Sequence, residues 1–388
     1  MGTVLLVSLY GVNASWLVAP PHGATQVVAQ RGVAQQYVSG ELADDTCSAR
    51  LILPPSHSFI DNTMPSIEAA QAAGADVVEI DIRITKDRQF VLFHDVGLGC
   101  RTEGSGRVSA HTVAELKALD VGYGYTADQG KTFPLRGKGV GLMPTLAEVL
   151  RKYPQRRFLV QIKDGERRVA DSLVAYLTSN QLEPWERLSF FGGVAPLGRL
   201  HEIVPTVRTW SARGAGWCGV SYLETGWFGH VPRVCDEGMI IVPIDQTYLI
   251  WGWPNRFLAR MREHHTEVML IGRVGDRKSG QFSRLDTGEE VARIPAGFDG
   301  FVWTDQVGVV GPLVHHLKRS RKEFRRVRSP ASASSTLILC ARPRATECIT
   351  RTHFVSTIPL YCRISLGVIH SVPWSRWRIT NSLPITFP

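Results

Sequence analysis

The stretch GADVVEIDIRITKDRQFVLFHD, residues 74 to 95, decides how the chain folds and where its chemistry lies. Its first half, DVVEIDI (76 to 82), is rich in β-branched residues and reads as a strand. Successive side chains of a strand face opposite ways, so Glu79 and Asp81 share one face while Val78, Ile80 and Ile82 share the other. Two carboxylates on one side of an apolar strand are costly to bury unless a cation or basic group compensates them. A hard divalent cation fits, because Mg²⁺ and Ca²⁺ prefer carboxylate oxygens. A second apolar run, FVLFH (90 to 94), ends in His94 and Asp95.

Outward from this stretch, strand-like and helix-like runs alternate, which predicts a mainly parallel sheet of the α/β class. The strand candidates are TQVVAQ (25 to 30), DVVEIDI, FVLFH, RFLVQI (157 to 162), RLSFF (187 to 191), PTVRTW (205 to 210), MIIVPI (239 to 244), EVMLIG (267 to 272) and FDGFVW (298 to 303). A (β/α)8 TIM barrel needs eight, so one of the nine is accessory, and the expectation places it among the three between 205 and 272. Helices are predicted at Met64 to Ala73, at Thr112 to Ala118 and Thr145 to Lys152, where a Thr is followed three residues later by Glu, and at Asn255 to His264. Residues 31 to 61, 95 to 111, 120 to 143 and 211 to 238 read as long loops rich in Gly, Ser and aromatics. In a barrel the loops after the C-terminal strand ends build the active site.

The 388 residues carry a formal net charge of +9. From Lys318 to the end there are thirteen basic residues against Glu323 and Glu347, so residues 1 to 317 sum to −2. A near-neutral body without a recognition motif argues against nucleic-acid binding. The domain reading is an apolar N-terminal segment (1 to 23), a barrel (24 to 317), a basic helix end or linker (318 to 330) and an irregular, poorly ordered tail (331 to 388).

The apolar start is read as a cropped signal or membrane anchor with the barrel outside the cytoplasm; a cytoplasmic protein with an apolar start is the competing view. Seven cysteines form no close pair of the CxxC kind, which argues against structural zinc. Cys47 with Cys100 and Cys218 with Cys235 are disulfide candidates, and inert thiols are the alternative. No protein partner is inferable.

The run DNTMPSIEAAQAAGADVVEIDIRITKDRQFVLFHDVGLGCRTEGSGRVSAHTVAELKALD, residues 61 to 120, resembles the signature region of the glycerophosphodiester phosphodiesterase family, and segments 122 to 150 and 298 to 305 fit its later portions. The resemblance implies a metal-dependent hydrolase on a TIM barrel that converts a small-molecule glycerophosphodiester to glycerol 3-phosphate and an alcohol with bound Mg or Ca. It assigns Glu79 and Asp81 to the metal and His94 to catalysis. The family's opening His-Arg-Gly stands here as Gln30, Arg31 and Gly32, so Arg31 is kept as a phosphate ligand while Gln30 replaces the expected His. The usual Glu-Asn-Thr reads Asp61, Asn62 and Thr63, which makes Asp61 an additional candidate ligand. The usual Glu-Leu-Lys reads Gln161, Ile162 and Lys163, leaving Gln161 as a weak or lost ligand and Lys163 for phosphate.

An amide does not exchange protons near neutral pH, so Gln30 predicts binding with slow turnover unless another group, such as His57, substitutes. Trp210, with Trp217, Tyr222, Trp227 and Phe228, is read as gripping the alcohol moiety, as a lipid-facing rim or as ordinary packing. Two alternatives remain: a relative that only binds ligand, and a phosphodiesterase acting on lysophospholipid or sphingolipid, with membrane association left open.

Overall fold

The computed structural model describes residues 10–37, 47–182, 185–274 and 283–328; the tail expected over 331 to 388 lies outside them. Its strands are β1 (Gln26–Ala29), β2 (Val77–Ile84), β3 (Phe90–Leu92), β4 (Arg157–Ile162), β5 (Leu188–Gly192), β6 (Arg208–Trp210), β7 (Met239–Pro243), β8 (Glu267–Ile271) and β9 (Phe301–Thr304). Eight of them run parallel in the order β6-β5-β4-β2-β1-β9-β8-β7. This is a nearly closed (β/α)8 barrel, with no ladder between β6 and β7 among the described residues.

The accessory strand is β3, not one of the three between 205 and 272. It pairs antiparallel with β2, Ile82 opposite Leu92 and Ile84 opposite Phe90. Only residues 85 to 89 separate the two strands, and a parallel crossover needs a dozen residues or more. The turn is held by Thr85 Oγ1 donating to Asp87 Oδ1 at 2.6 Å and accepting from Gln89 N at 3.0 Å.

The helices are α1 (Met64–Ala72), α2 (Val113–Lys117), α3 (Leu146–Lys152), α4 (Arg168–Ser179), α5 (Val194–Ile203), α6 (Ala212–Thr225), α7 (Asn255–Glu263), α8 (Gly288–Ala292) and α9 (Val307–Arg328). The Thr112 and Thr145 capping boxes close on Glu115 and Glu148 as their spacing predicts. The expected loop 211 to 238 is instead helical in its first half. Three glycines weaken the helical signal there, but Ser211 caps Gly214 N and the spacing of Ala215, Cys218 and Tyr222 buries one face of α6.

The C-terminal end of α6 meets the apolar start. Arg260 of α7, 7% exposed, donates to the Val12 carbonyl, Asn13 Oδ1, the Tyr222 hydroxyl and the Gly226 carbonyl. Asn255 holds Ser15 and Val18. Residues 12 to 18 therefore lie against the barrel's helical layer. Among the described residues no helix is long and apolar enough to cross a membrane.

Both cysteine pairs are bonded, Cys47 to Cys100 and Cys218 to Cys235. Closing the 17-residue separation of the second pair restrains the unfolded chain by about 3 kcal/mol on the chain-entropy account. Replacing both Cys218 and Cys235 by Ala is expected to lower unfolding free energy by about 2 to 3 kcal/mol in a denaturant titration; an unchanged midpoint would remove the bond from the stability of this face.

The barrel interior is filled by Val28, Val77, Leu159, Phe191, Trp210, Met239, Met269, Ile271, Phe301 and Trp303. The other face of each strand packs under the helices, with Val78, Ile80, Ile82, Val160 and Phe190 in that outer core. The alternation that buries Ile80 outside thus turns Glu79 and Asp81 inward.

Candidate active site

Glu79 and Asp81, the third and fifth residues of β2, are fully buried. Glu79 Oε2 accepts from Arg31 N at 2.9 Å; Asp81 Oδ2 lies 3.0 Å from Arg31 Nε and accepts from Asn62 Nδ2 at 2.9 Å. Asn62 Oδ1 in turn accepts from Asp81 N at 3.0 Å. Arg31 and Asn62 both sit at positive φ, 53° and 59°. Such strain in non-glycine residues persists only where the surroundings fix it, and here both side chains are fixed on Asp81. Gly32, at φ 81°, abuts Ser66 so closely that an added Cβ would lie 2.9 Å from its carbonyl oxygen.

Glu79 Oε1 and Asp81 Oδ1 are buried with no hydrogen bond among the described residues. Buried carboxylate oxygens are ordinarily satisfied, so this pair is half-compensated. Burial and the neighbouring Asp81 push the Glu79 carboxyl up to about 8. Burial works on Asp81 in the same sense, but Arg31, with His94 and Lys163, outweighs it and holds Asp81 below the usual carboxylate range. Two hard oxygens facing one way, one of them without enough positive charge, fit a divalent cation. Gln161 lies level with Asp81 in the β2–β4 register, and its Oε1 accepts from Lys163 Nζ at 3.3 Å. That amide oxygen is a neutral donor of the kind such cations also take. Among the described residues no group of three His, Cys, Asp or Glu is placed to hold an ion, so the donor set is lean.

His94 reaches the mouth through the β2–β3 hairpin rather than at the end of a barrel strand. Phe93 N donates to Asp81 O at 3.1 Å, and the Arg83 guanidinium grips the His94 carbonyl at 2.8 and 3.0 Å while pairing with Asp164 at 3.1 Å. His94 Nδ1 lies 2.6 Å from Asp95 Oδ1. Burial, followed by the Arg31 charge, pushes the ring down to about 4. A neutral ring facing a carboxylate carries its proton on Nδ1, which leaves Nε2 basic.

Behind it runs a chain of ion pairs: Asp95 Oδ2 to Arg101 Nε at 3.0 Å, and Arg101 Nη1 to both oxygens of Asp61 at 2.7 and 3.0 Å. Tyr125 donates to Asp61, and Arg101 also reaches Ser48 Oγ at 2.7 Å. Burial pushes Asp95 up, but Arg101 and His94 hold it well below the carboxylate range. The Cys47–Cys100 bond ties together the neighbours of Ser48 and Arg101. Asp61, a candidate metal ligand from sequence, has its carboxylate engaged by Arg101 and Tyr125.

Gln30, 7% exposed, follows β1, and its Oε1 accepts from Arg284 Nε at 3.0 Å. His57 bonds Gln35 and Phe59 N away from these groups. Trp210 belongs to β6 itself, stacked on Phe191 at 4.9 Å and edge-on to Trp303 at 6.1 Å. The indole Nε1 atoms of Trp210 and Trp303 are buried without a hydrogen bond among the described residues. Sequence reading missed Arg83, Arg101, Tyr125, Arg284 and Asp305 as parts of the site. Of these only Asp305 left a local trace, since it continues the inward alternation of Phe301 and Trp303.

The fold and this mouth define a (β/α)8-barrel protein that gathers cationic side chains around two inward carboxylates. Residues 55–182 match the model of the glycerophosphoryl diester phosphodiesterase family. A glycerophosphodiester phosphodiesterase of Bacillus subtilis is 30% identical over 160 residues, 38% of this chain and 53% of that protein. One of Caldanaerobacter subterraneus is 35% identical over 108 residues, 28% of this chain and 41% of its own. The chain thus spans about half, or less, of the length of these curated relatives. The glycerophosphoryl diester phosphodiesterase domain of an uncharacterized Mycobacterium tuberculosis protein superposes with TM-score 0.53 at 15% identity, covering 76% of this chain and 99% of that domain. A putative glycerophosphoryl diester phosphodiesterase of Silicibacter pomeroyi gives 0.50 at 17% identity, covering 80% and 98%. At such identity these two show the shared fold alone.

Proposed function

We propose that the chain is a metal-dependent phosphoric diester hydrolase that cleaves a glycerophosphodiester to glycerol 3-phosphate and an alcohol, slowed by Gln30. The observation that carries this is the pair of unbonded buried oxygens, Glu79 Oε1 and Asp81 Oδ1, opening beside Arg31, Lys163 and the basic nitrogen of His94. Glu79 and Asp81, with the Gln161 amide oxygen, would hold Mg²⁺ or Ca²⁺, whose positive charge there would offset the charge gathering on phosphorus oxygens. Arg31 and Lys163 remain partly accessible, 12% and 16% exposed, and orient the phosphate by charge-assisted hydrogen bonds. His94 Nε2 takes the proton of the attacking oxygen while Asp95 holds the ring. Trp210 and Trp303 present an apolar wall with indole donors.

The test is release of glycerol 3-phosphate from glycerophosphocholine, with and without Mg²⁺ or Ca²⁺. Metal-dependent release supports the reading. A folded chain that binds the metal and releases nothing favours the second reading, a protein that binds ligand only, which the non-titrating Gln30 and Gln161 also fit. Faster turnover on lysophospholipid or sphingolipid would move the substrate class.

Export belongs to the same proposal: two disulfides suit an oxidising compartment. Tyr10, Trp227 and Trp251 line an apolar hollow of about 430 Å³ that suits a lipid interface; flotation with anionic vesicles tests it.

A further inference from the structure

Gln30 leaves the proposed reaction short of one proton carrier, and the neighbouring strand supplies a candidate. In the β1–β9 register Val28 lies opposite Trp303 and Ala29 opposite Thr304, and Gln30 N donates to the Thr304 carbonyl at 2.9 Å. The next residue on β9's side is Asp305, and the inward alternation of Phe301 and Trp303 turns it toward the mouth. Arg284 joins the two positions: its Nε holds Gln30 Oε1, its guanidinium lies 3.9 Å over the Trp303 ring, and its charge acts on Asp305.

We propose that Asp305 is the general acid of this chain, protonating the departing alcohol in place of the residue that Gln30 has lost. The inference rests on the phosphodiesterase reading above. As the phosphorus–oxygen bond to the alcohol breaks, its electron pair stays on that oxygen, which takes the proton of the Asp305 carboxylic acid. Water forms the new phosphorus–oxygen bond and gives its proton to His94 Nε2. His94 then loses that proton to solvent, and the Asp305 carboxylate regains one from solvent.

The surroundings suit this role. The charged groups acting on Asp305 are Arg284, Arg31 and Asp61, and Asp286 lies beside it. Burial pushes the Asp305 carboxyl up, and the two arginines only partly oppose it. Asp286 Oδ1 accepts from Asp305 N at 2.8 Å, Gln306 N at 3.2 Å and Thr304 Oγ1 at 2.8 Å, which fixes the backbone that presents Asp305. Trp303 Nε1, two residues back on the same inward face, is buried with no hydrogen bond among the described residues.

The test pairs Asp305→Asn and Asp305→Glu with two glycerophosphodiesters, one releasing choline and one releasing 4-nitrophenol, a phenol acidic enough to leave without a proton. Asp305→Asn is expected to lower kcat on the choline ester tenfold or more and on the nitrophenyl ester less than threefold. Asp305→Glu, which keeps a proton, should retain more choline-ester activity than the isosteric Asn. Equal losses on both esters, or a better Asn than Glu, would overturn the general-acid role, because a purely structural Asp305 predicts both. An unaltered chain without turnover whose Gln30→His variant is active would also overturn it, yet leave the phosphodiesterase reading standing. If neither chain turns over, both fall.

Discussion

The Gln30→His variant is expected to release glycerol 3-phosphate from glycerophosphocholine at least about a hundredfold faster than the unaltered chain, since general acid or base catalysis contributes roughly 10² to 10⁴-fold. That gain corresponds to about 2.7 kcal/mol of transition-state stabilisation. The side chain at 30 is 7% exposed and follows the inward strand β1 at the level of the carboxylate pair, so an imidazole placed there enters the mouth. It also meets Arg284, whose Nε now rests on the amide oxygen. A guanidinium beside an imidazole disfavours its charged form, which keeps the ring neutral and basic at pH 7. Arg31 and Lys163 are untouched, so the change should fall on kcat with KM moving little. If Asp305 already provides a tenfold share, the imbalance left for the imidazole still lies inside the usual range. A variant that folds, binds metal and turns over no faster would show that Gln30 is not what limits the chain.

The centre of the site was legible in sequence because it depends on local periodicity. Glu79 and Asp81 are two apart on a strand whose alternate residues are Val78, Ile80 and Ile82, and the barrel only had to place that strand. What completes the centre comes from far along the chain. Arg101 joins Asp95 to Asp61 across separations of 6 and 40 residues, and Arg284 reaches Gln30 across 254. No period or spacing encodes such meetings; they follow from which strand ends the closed barrel makes neighbours. The same distinction explains the accessory strand. The apolar run at 90 looks like any barrel strand by composition, and only the five-residue link before it shows that it must fold back.

That hairpin bears on the chemistry. Folded back on β2, the segment keeps its backbone on Asp81 through Phe93 N and on Arg83 through the His94 carbonyl. The histidine is thus anchored to the strand that carries both proposed carboxylate ligands. Movement of β2 would displace metal ligands and base together, which preserves their mutual geometry.

Glu79→Gln gives the second large effect, and it separates stability from activity. In the chain without metal, Glu79 and Asp81 lie side by side at 0% exposure, and Arg31 and Lys163 favour Asp81. An amide at position 79 removes the cost of either holding a proton there or burying a second negative charge beside Asp81, and it keeps the acceptor that Arg31 N needs. The variant's metal-free melting temperature is therefore expected to equal or exceed that of the unaltered chain. With metal the order reverses. Binding to the native state alone adds about 2.7 kcal/mol when the metal is at a hundred times its dissociation constant, and this gain should vanish in the variant together with one of its two carboxylates. Turnover is expected to fall by about three orders of magnitude, or about 4 kcal/mol of transition-state stabilisation. Differential scanning calorimetry with chelator and with millimolar Mg²⁺ or Ca²⁺ reads both halves. A metal-induced rise that survives in Glu79→Gln would place the cation elsewhere, and a large drop in the metal-free melting temperature would make Glu79 a structural acid rather than one held ready for a cation.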